Sequence, residues 1–180
     1  MPATLARAYR FQPGQYLTLR ADLGGEDVRR SYSLCSTPDE GEWRVAIKRV
    51  AGGAFSSFAH GTLRPGSAID VMTPAGRFTR RIDPAAARTY LAIAAGSGIT
   101  PVMSILKSVL AGEPRSRFTL LYGNRAAPSI IFKAVLDDLK DRHGSRLAVH
   151  HILSRERPDI PLLHGHLDRA KIRVLLRTMG

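Results

Sequence analysis

The sequence has a single cysteine, Cys35, and that scarcity removes several classes of protein at once. No disulfide can close within the chain, and no all-cysteine zinc or iron–sulfur site can be built from it. Cys35 itself is expected to be a small buried apolar residue. Long hydrophobic runs are also missing: the longest, YLAIAAG at 90–96, is far short of the ~20 residues that a spanning helix needs. The amino-terminal MPATLARAYRFQPG lacks the apolar core of a secretory signal, and these absences together predict a soluble cytoplasmic protein. Aromatic residues are only 7% and form no recurring series, so a surface for stacking nucleic-acid bases is not expected.

Positive charge is abundant. Lys and Arg number 27 against 15 Asp and Glu, a surplus of +12, of which +4 falls in residues 1–83 and +8 in 84–180. No basic tract reaches five residues, so the surplus suits phosphorylated cofactors or an acidic partner rather than a nucleic-acid arm.

Two rhythms divide the chain near residue 84. Before it, QYLTLR, RRSYSLCS, EWRVAIKRV, SAIDVM and GRFTRRI read as short strands separated by Pro/Gly turns, the pattern of an antiparallel barrel or sandwich. After it, TYLAIAA (89–95), RFTLLYG (117–123) and RLAVHHIL (146–153) read as strands, the first buried on both faces. Helical periodicity lies between and after them. Val102, Ile105, Leu106, Val109 and Leu110 mark one helix, with Thr100 as its expected N-cap and Gly112 as its stop; SIIFKAVLDDLKDRHG and DRAKIRVLLRTM mark two more. Strands alternating with helices predict a parallel sheet.

AAGSGITP (94–101) joins a strand to a helix, where glycines let a ligand approach the backbone and the helix start offers unpaired amides. Its third glycine position is occupied by Pro101, so the spacing alone leaves open a ligand site or a plain turn. GGAFSSF (52–58) is a second glycine-rich turn, leading into a one-turn helix near Ser56, whose amides and hydroxyl could hold a phosphate. His60, His143, His150, His151, His164 and His166 have no acidic or cysteine partner at ligand spacing, and no metal site is expected.

Arg30-Ser31-Tyr32-Ser33, Gly52 to Ser56, Pro74 to Phe78, Gly96 to Pro101 and Tyr122 to Arg125 follow one another in the order found in the ferredoxin–NADP reductase family, which the whole chain resembles. Within it, RRSYSLCSTP, DVMTPAGRF and LLYGNR are similar to reductases that serve a ring-oxidising oxygenase acting on an aromatic acyl-CoA in phenylacetate degradation. The resemblance implies a two-domain α+β protein. Residues 1–84 would form an antiparallel β-barrel binding FAD, and 85–180 an α/β parallel-sheet domain binding NADPH, with NADH the alternative.

In the flavin half, the resemblance gives Arg30 to the pyrophosphate and Tyr32 to the isoalloxazine ring. Ser33 would reach the flavin N5, which makes Tyr32 and Ser33 the residues at the reacting ring. Gly53, Ala54, Phe55 and Ser56 would supply backbone donors. In the nucleotide half, Gly96, Gly98 and Thr100 would meet the pyrophosphate and nicotinamide end, and Asn124, Arg125, Ser154 and Arg155 the adenosine ribose. A guanidinium suits a phosphate, a phenol ring covers a flat aromatic system, and a hydroxyl beside N5 tunes a hydride acceptor. Relatives carry an earlier strand, a closing C-G-P strand and a [2Fe–2S] domain, so the chain reads as the central part of a larger reductase. Electrons would leave for an iron–sulfur domain and an oxygenase component. The alternative is a non-catalytic fragment that binds a nucleotide or partner without turnover.

Overall fold

In the computed structural model, which describes the backbone of residues 3–179, the alternating stretches of the first half pair as an antiparallel sheet. In chain order the elements are α1 (Ala3–Ala6), β1 (Tyr16–Asp22), β2 (Asp27–Ser33), α2 (Ala54–Gly61), β3 (Asp70–Val71), β4 (Thr89–Ala95), α3 (Ile99–Gly112), β5 (Arg117–Asn124), α4 (Lys133–His143), β6 (Leu147–Leu153) and α5 (Arg169–Met179). They fall into two compact units. One holds the chain up to Ile82 with Thr100–Ser108; the other holds Asp83–Ile99 and the chain from Val109 onward.

In the first unit β1 lies between β2 and β3, antiparallel to both. Cross-strand partners share a face, so Leu17 stands beside Tyr32 and Leu19 beside Arg30. Leu17, Leu19, Val28, Leu34 and Phe55 form the core under that face. Two stretches expected as strands pair less than their alternation suggested. EWRVAIKRV contributes one isolated bridge, Val45 to Leu34, and GRFTRRI none among the described residues. Val45 and Ile47 nevertheless pack on the core, so the alternation reflects burial of one face rather than a ladder. Cys35 is buried, its thiol pushed up by that burial, and its Sγ donates to the Arg44 carbonyl at 3.3 Å.

In the second unit the strands are parallel in the order β4-β5-β6. Helix α5 covers one face of the sheet, where Leu175 packs with Leu121 and Ile152. That cover stops at β5 and β6. Strand β4 is the sheet edge, and its Leu91 and Ile93, on the face of Leu121, remain 43% and 45% exposed. The expectation of a strand buried on both faces is therefore corrected: one face of β4 is open.

Helix starts also differ from the sequence reading. Helix α3 begins at Ile99 after a 3-10 turn at Gly96–Gly98, with Gly98 as N-cap, so Thr100 lies inside the first turn. Helix α2 is two turns long and starts at Ala54. Helix α4 starts at Lys133 because Phe132 takes a left-handed conformation, φ 63°, that a helix cannot include.

Candidate cofactor sites

Of the flavin residues foreseen in the first unit, Arg30, Tyr32 and Phe55 at the start of α2 gather on one patch, while Ser33 alternates to the other face of β2. Strand periodicity puts Arg30 and Tyr32 on the same side of β2. The half-buried Tyr32 ring lies over Phe55, centroids 5.7 Å apart and planes tilted by 36°. Phe55 is 1% exposed and belongs to the first turn of α2, so a core contact carries the α2 amino terminus to β2. The first amides of that helix, those of Ala54, Phe55 and Ser56, have no intrahelical acceptor, and no acidic side chain stands in its first turn.

Gly53 is required by packing. A Cβ there would stand 2.7 Å from Ser56 Oγ and 3.2 Å from the Val50 carbonyl oxygen. Ser56 explains the crowding: its buried hydroxyl accepts from the Val50 amide at 3.1 Å and donates to the Gly53 carbonyl at 3.1 Å. The side chain thus holds the turn, leaving the amides as the groups that face a ligand.

The charges of β2 are sorted. Arg29 pairs with Asp27 at 2.9 Å, whereas Arg30 is exposed and donates to the neighbouring Arg29 carbonyl at 2.7 Å, with no carboxylate partner among the described residues. Burial pushes the Tyr32 phenol above its ordinary range, with Arg30 pulling the other way, so it is neutral at physiological pH. Ser33 ends β2, opposite Tyr16. An unpaired guanidinium, a ring on a rigid platform and open helix amides fit an elongated ligand with a flat aromatic end and a pyrophosphate. Two cavities of the first unit, about 780 and 280 Å³, have none of these residues among their linings.

The nucleotide residues cluster at the carboxyl ends of the parallel strands, where open α/β sheets bind ligands. Gly96 takes φ +50°, which favours glycine, while Gly98 has an ordinary helical φ of −63°. A Cβ on either would meet nothing within 4 Å. Gly98 is thus demanded neither by backbone strain nor by packing within the protein. We expect Gly98→Val to leave the melting temperature within about 2 °C, consistent with a neutral surface change. The same variant should weaken NADPH binding by an order of magnitude in a titration.

Beyond β5 and β6 the backbone bonding continues: the Ser154 amide donates to the Asn124 carbonyl at 3.0 Å and the Arg155 amide to the Arg125 carbonyl at 2.8 Å. This brings the four ribose candidates side by side, with both arginines exposed. Asn124 Nδ2 is buried without a hydrogen-bond partner. Thr100 is buried in the first turn of α3. The sequence reading did not single out Tyr122, whose hydroxyl donates to the Gly96 carbonyl of the glycine turn. Its signal was a tyrosine hydroxyl at the end of the apolar run FTLLYG, directly before the strand's carboxyl end.

An antiparallel unit with an anion-ready helix start and a parallel unit with a glycine turn define a protein built to hold two nucleotides. Residues 4–80 match the oxidoreductase FAD-binding domain and residues 92–178 the oxidoreductase NAD-binding domain. One component of the 1,2-phenylacetyl-CoA epoxidase of Escherichia coli is 46% identical over 97% of this chain and 49% of its own length. The ferredoxin reductase component of 3-ketosteroid-9-alpha-monooxygenase from Mycobacterium tuberculosis is 42% identical over 84% of this chain and 42% of its own. A cytochrome P450 reductase from Amycolatopsis superposes with a TM-score of 0.76 at 27% identity, over 92% of this chain and 50% of that one. The chain belongs to the ferredoxin–NADP reductase family of FAD- and NAD-binding oxidoreductases. It spans about half the length of the curated relatives it matches. No helix among the described residues is long and apolar enough to cross a membrane.

Proposed function

We propose that the chain is the cofactor-binding core of an oxygenase reductase, taking NADPH as donor and supplying an iron–sulfur centre and then an oxygenase acting on an aromatic acyl-CoA. Along the sequence, residues 1–84 would make up the flavin-binding domain and 85–180 the nucleotide-binding domain. The observation that carries the reading is the meeting of Arg30, Tyr32 and the α2 amino terminus on one patch. When bound, FAD supplies the step from hydride to single electrons.

The side chains bind and orient. Arg30 and the amides of Ala54, Phe55 and Ser56 hold a pyrophosphate from two directions, and Tyr32 covers the ring. Ser33 offers a hydroxyl at the flavin N5. In the second unit the Gly96–Gly98 turn approaches the dinucleotide pyrophosphate, and Asn124 and Ser154 reach the adenosine ribose. Arg125 and Arg155, joined through their backbones, suit a 2′-phosphate and favour NADPH over NADH. The acceptor at the end of the chain is proposed from the epoxidase and monooxygenase reductases it is similar to.

The test is a spectrum. Protein mixed with FAD and desalted should keep flavin absorbance, as expected of a flavoprotein. Arg30→Ala should raise the Kd roughly 10- to 100-fold, the value of one charged hydrogen bond. Retention no greater than that of an unrelated basic protein would sink the reading. Anaerobic NADPH then separates a working reductase, which bleaches the flavin, from a core that binds without turnover.

A further inference from the structure

Beneath the Gly96–Gly98 turn lies a contact that cofactor binding alone does not explain. Tyr122 is fully buried in β5 beside Leu120 and Leu121, where a phenylalanine would give the same apolar burial. Its hydroxyl donates to the Gly96 carbonyl at 2.9 Å. A buried hydroxyl is costly unless paired, so this strand carries a polar atom whose partner is the turn. Burial pushes the phenol above its ordinary range, opposed by the nearby Asn124 side chain and the Ile131 backbone, so the group stays a neutral donor at physiological pH. The ring is fixed by the sheet, against His151 at 5.9 Å.

The peptide bond gives this contact a consequence. In a trans peptide the carbonyl and the following N–H point in opposite directions within one plane. Holding the Gly96 carbonyl on Tyr122 therefore fixes the orientation of the Gly96–Ser97 peptide plane relative to β5. Gly96 has no side chain to restrict that plane, and its φ of +50° is one of several that glycine reaches easily, so the contact with the sheet selects it. The Ile99 amide also reaches the Gly96 carbonyl, but from within the same turn, so it cannot fix the turn to the sheet.

We infer that Tyr122 is a positioning residue, whose hydroxyl sets the Gly96–Ser97 peptide plane and with it the shape of the turn that approaches the pyrophosphate of a bound dinucleotide. The inference rests on the reading that this turn binds the dinucleotide. Tyr122→Phe removes the hydroxyl and keeps the ring. In the full chain, calorimetric titration should show NADP+ binding about 10-fold more weakly to the variant, while 2′,5′-ADP, which lacks the nicotinamide-side half of the pyrophosphate, binds within about twofold of wild type. FAD retention should be unchanged, and hydrogen exchange at the Gly96–Ile99 amides should be faster without change in β6.

Equal NADP+ affinity in variant and wild type would overturn the positioning role. So would equal weakening of NADP+ and 2′,5′-ADP, which marks general loosening. Wild type that binds no NADP+ would instead sink the dinucleotide reading itself.

Discussion

Glu113→Ala is expected to unfold the second unit at a temperature at least ~12 °C below wild type. Glu113 follows α3 and its carboxylate is completely buried. It accepts from the Tyr90 hydroxyl at 2.9 Å, the Ser116 hydroxyl at 2.8 Å, the Arg88 guanidinium at 3.1 Å and the Asp83 amide at 3.2 Å. Its backbone carbonyl accepts from Arg146 at 3.3 Å, next to the same guanidinium's 2.7 Å bond to Leu110. One side chain thus ties the start of β4, the end of α3 and the start of β5. Removing it leaves the buried Ser116 hydroxyl and the half-buried Tyr90 hydroxyl and Asp83 amide without their acceptor and takes away the partner of Arg88, which together cost about 3–5 kcal/mol. A unit of this size loses roughly 4 °C or more per kcal/mol.

The pH dependence has a definite sign. Burial alone would raise the Glu113 pKa, but the hydrogen bonds from Ser116, Tyr90 and the Asp83 amide, with the Arg88 charge, hold it below the usual carboxylate range. A lowered pKa stabilises the fold above the unfolded value and loses that contribution as pH falls through the folded one. Wild type should therefore lose stability progressively below about pH 4.3, the ordinary glutamate value. Glu113→Gln should start lower and decline less steeply in the same range. Differential scanning calorimetry at several pH values checks both statements, and parallel curves would remove Glu113 from the account.

The second large effect belongs to Phe55→Ala. Phe55 fills the first-unit core with Leu17, Leu19, Val28 and Leu34, and touches Phe58 at 6.0 Å as well as Tyr32. Truncation should cost about 3–5 kcal/mol through lost burial and the cavity left behind. It should also cut FAD retention, since the platform under Tyr32 and the anchor of the α2 start are the same ring. Saturating FAD should recover part of the lost melting temperature, because a ligand that binds only the folded state stabilises it by mass action. Full flavin retention in a destabilised Phe55→Ala would separate the core from the site.

The sequence announced the broad architecture through periodicity. Period-2 stretches gave β1 and β2, and a sustained 3.6 rhythm gave α3. The two glycine turns were legible as backbone meant for close approach. What stayed hidden depended on neighbours remote in the chain. EWRVAIKRV alternates like a paired strand, yet pairing needs a partner, and only Val45 finds one. TYLAIAA is apolar at every interior position, but apolar residues do not reveal whether a helix reaches them, and α5 does not reach Leu91 or Ile93. The Thr100 N-cap was read from residue type, whereas the 3-10 turn before it had already started the helix. Tyr122 and Glu113 looked ordinary because their partners, Gly96, Asp83, Arg88 and Tyr90, lie 23 to 30 residues away.

The bare flank of β4 has a practical outcome for anyone handling this chain. An outermost strand that shows water two large aliphatic groups is a template on which like molecules can stick. Concentrated solutions should therefore cloud or self-associate, and Ile93→Lys, facing outward on that flank, should keep them clear with the sheet intact.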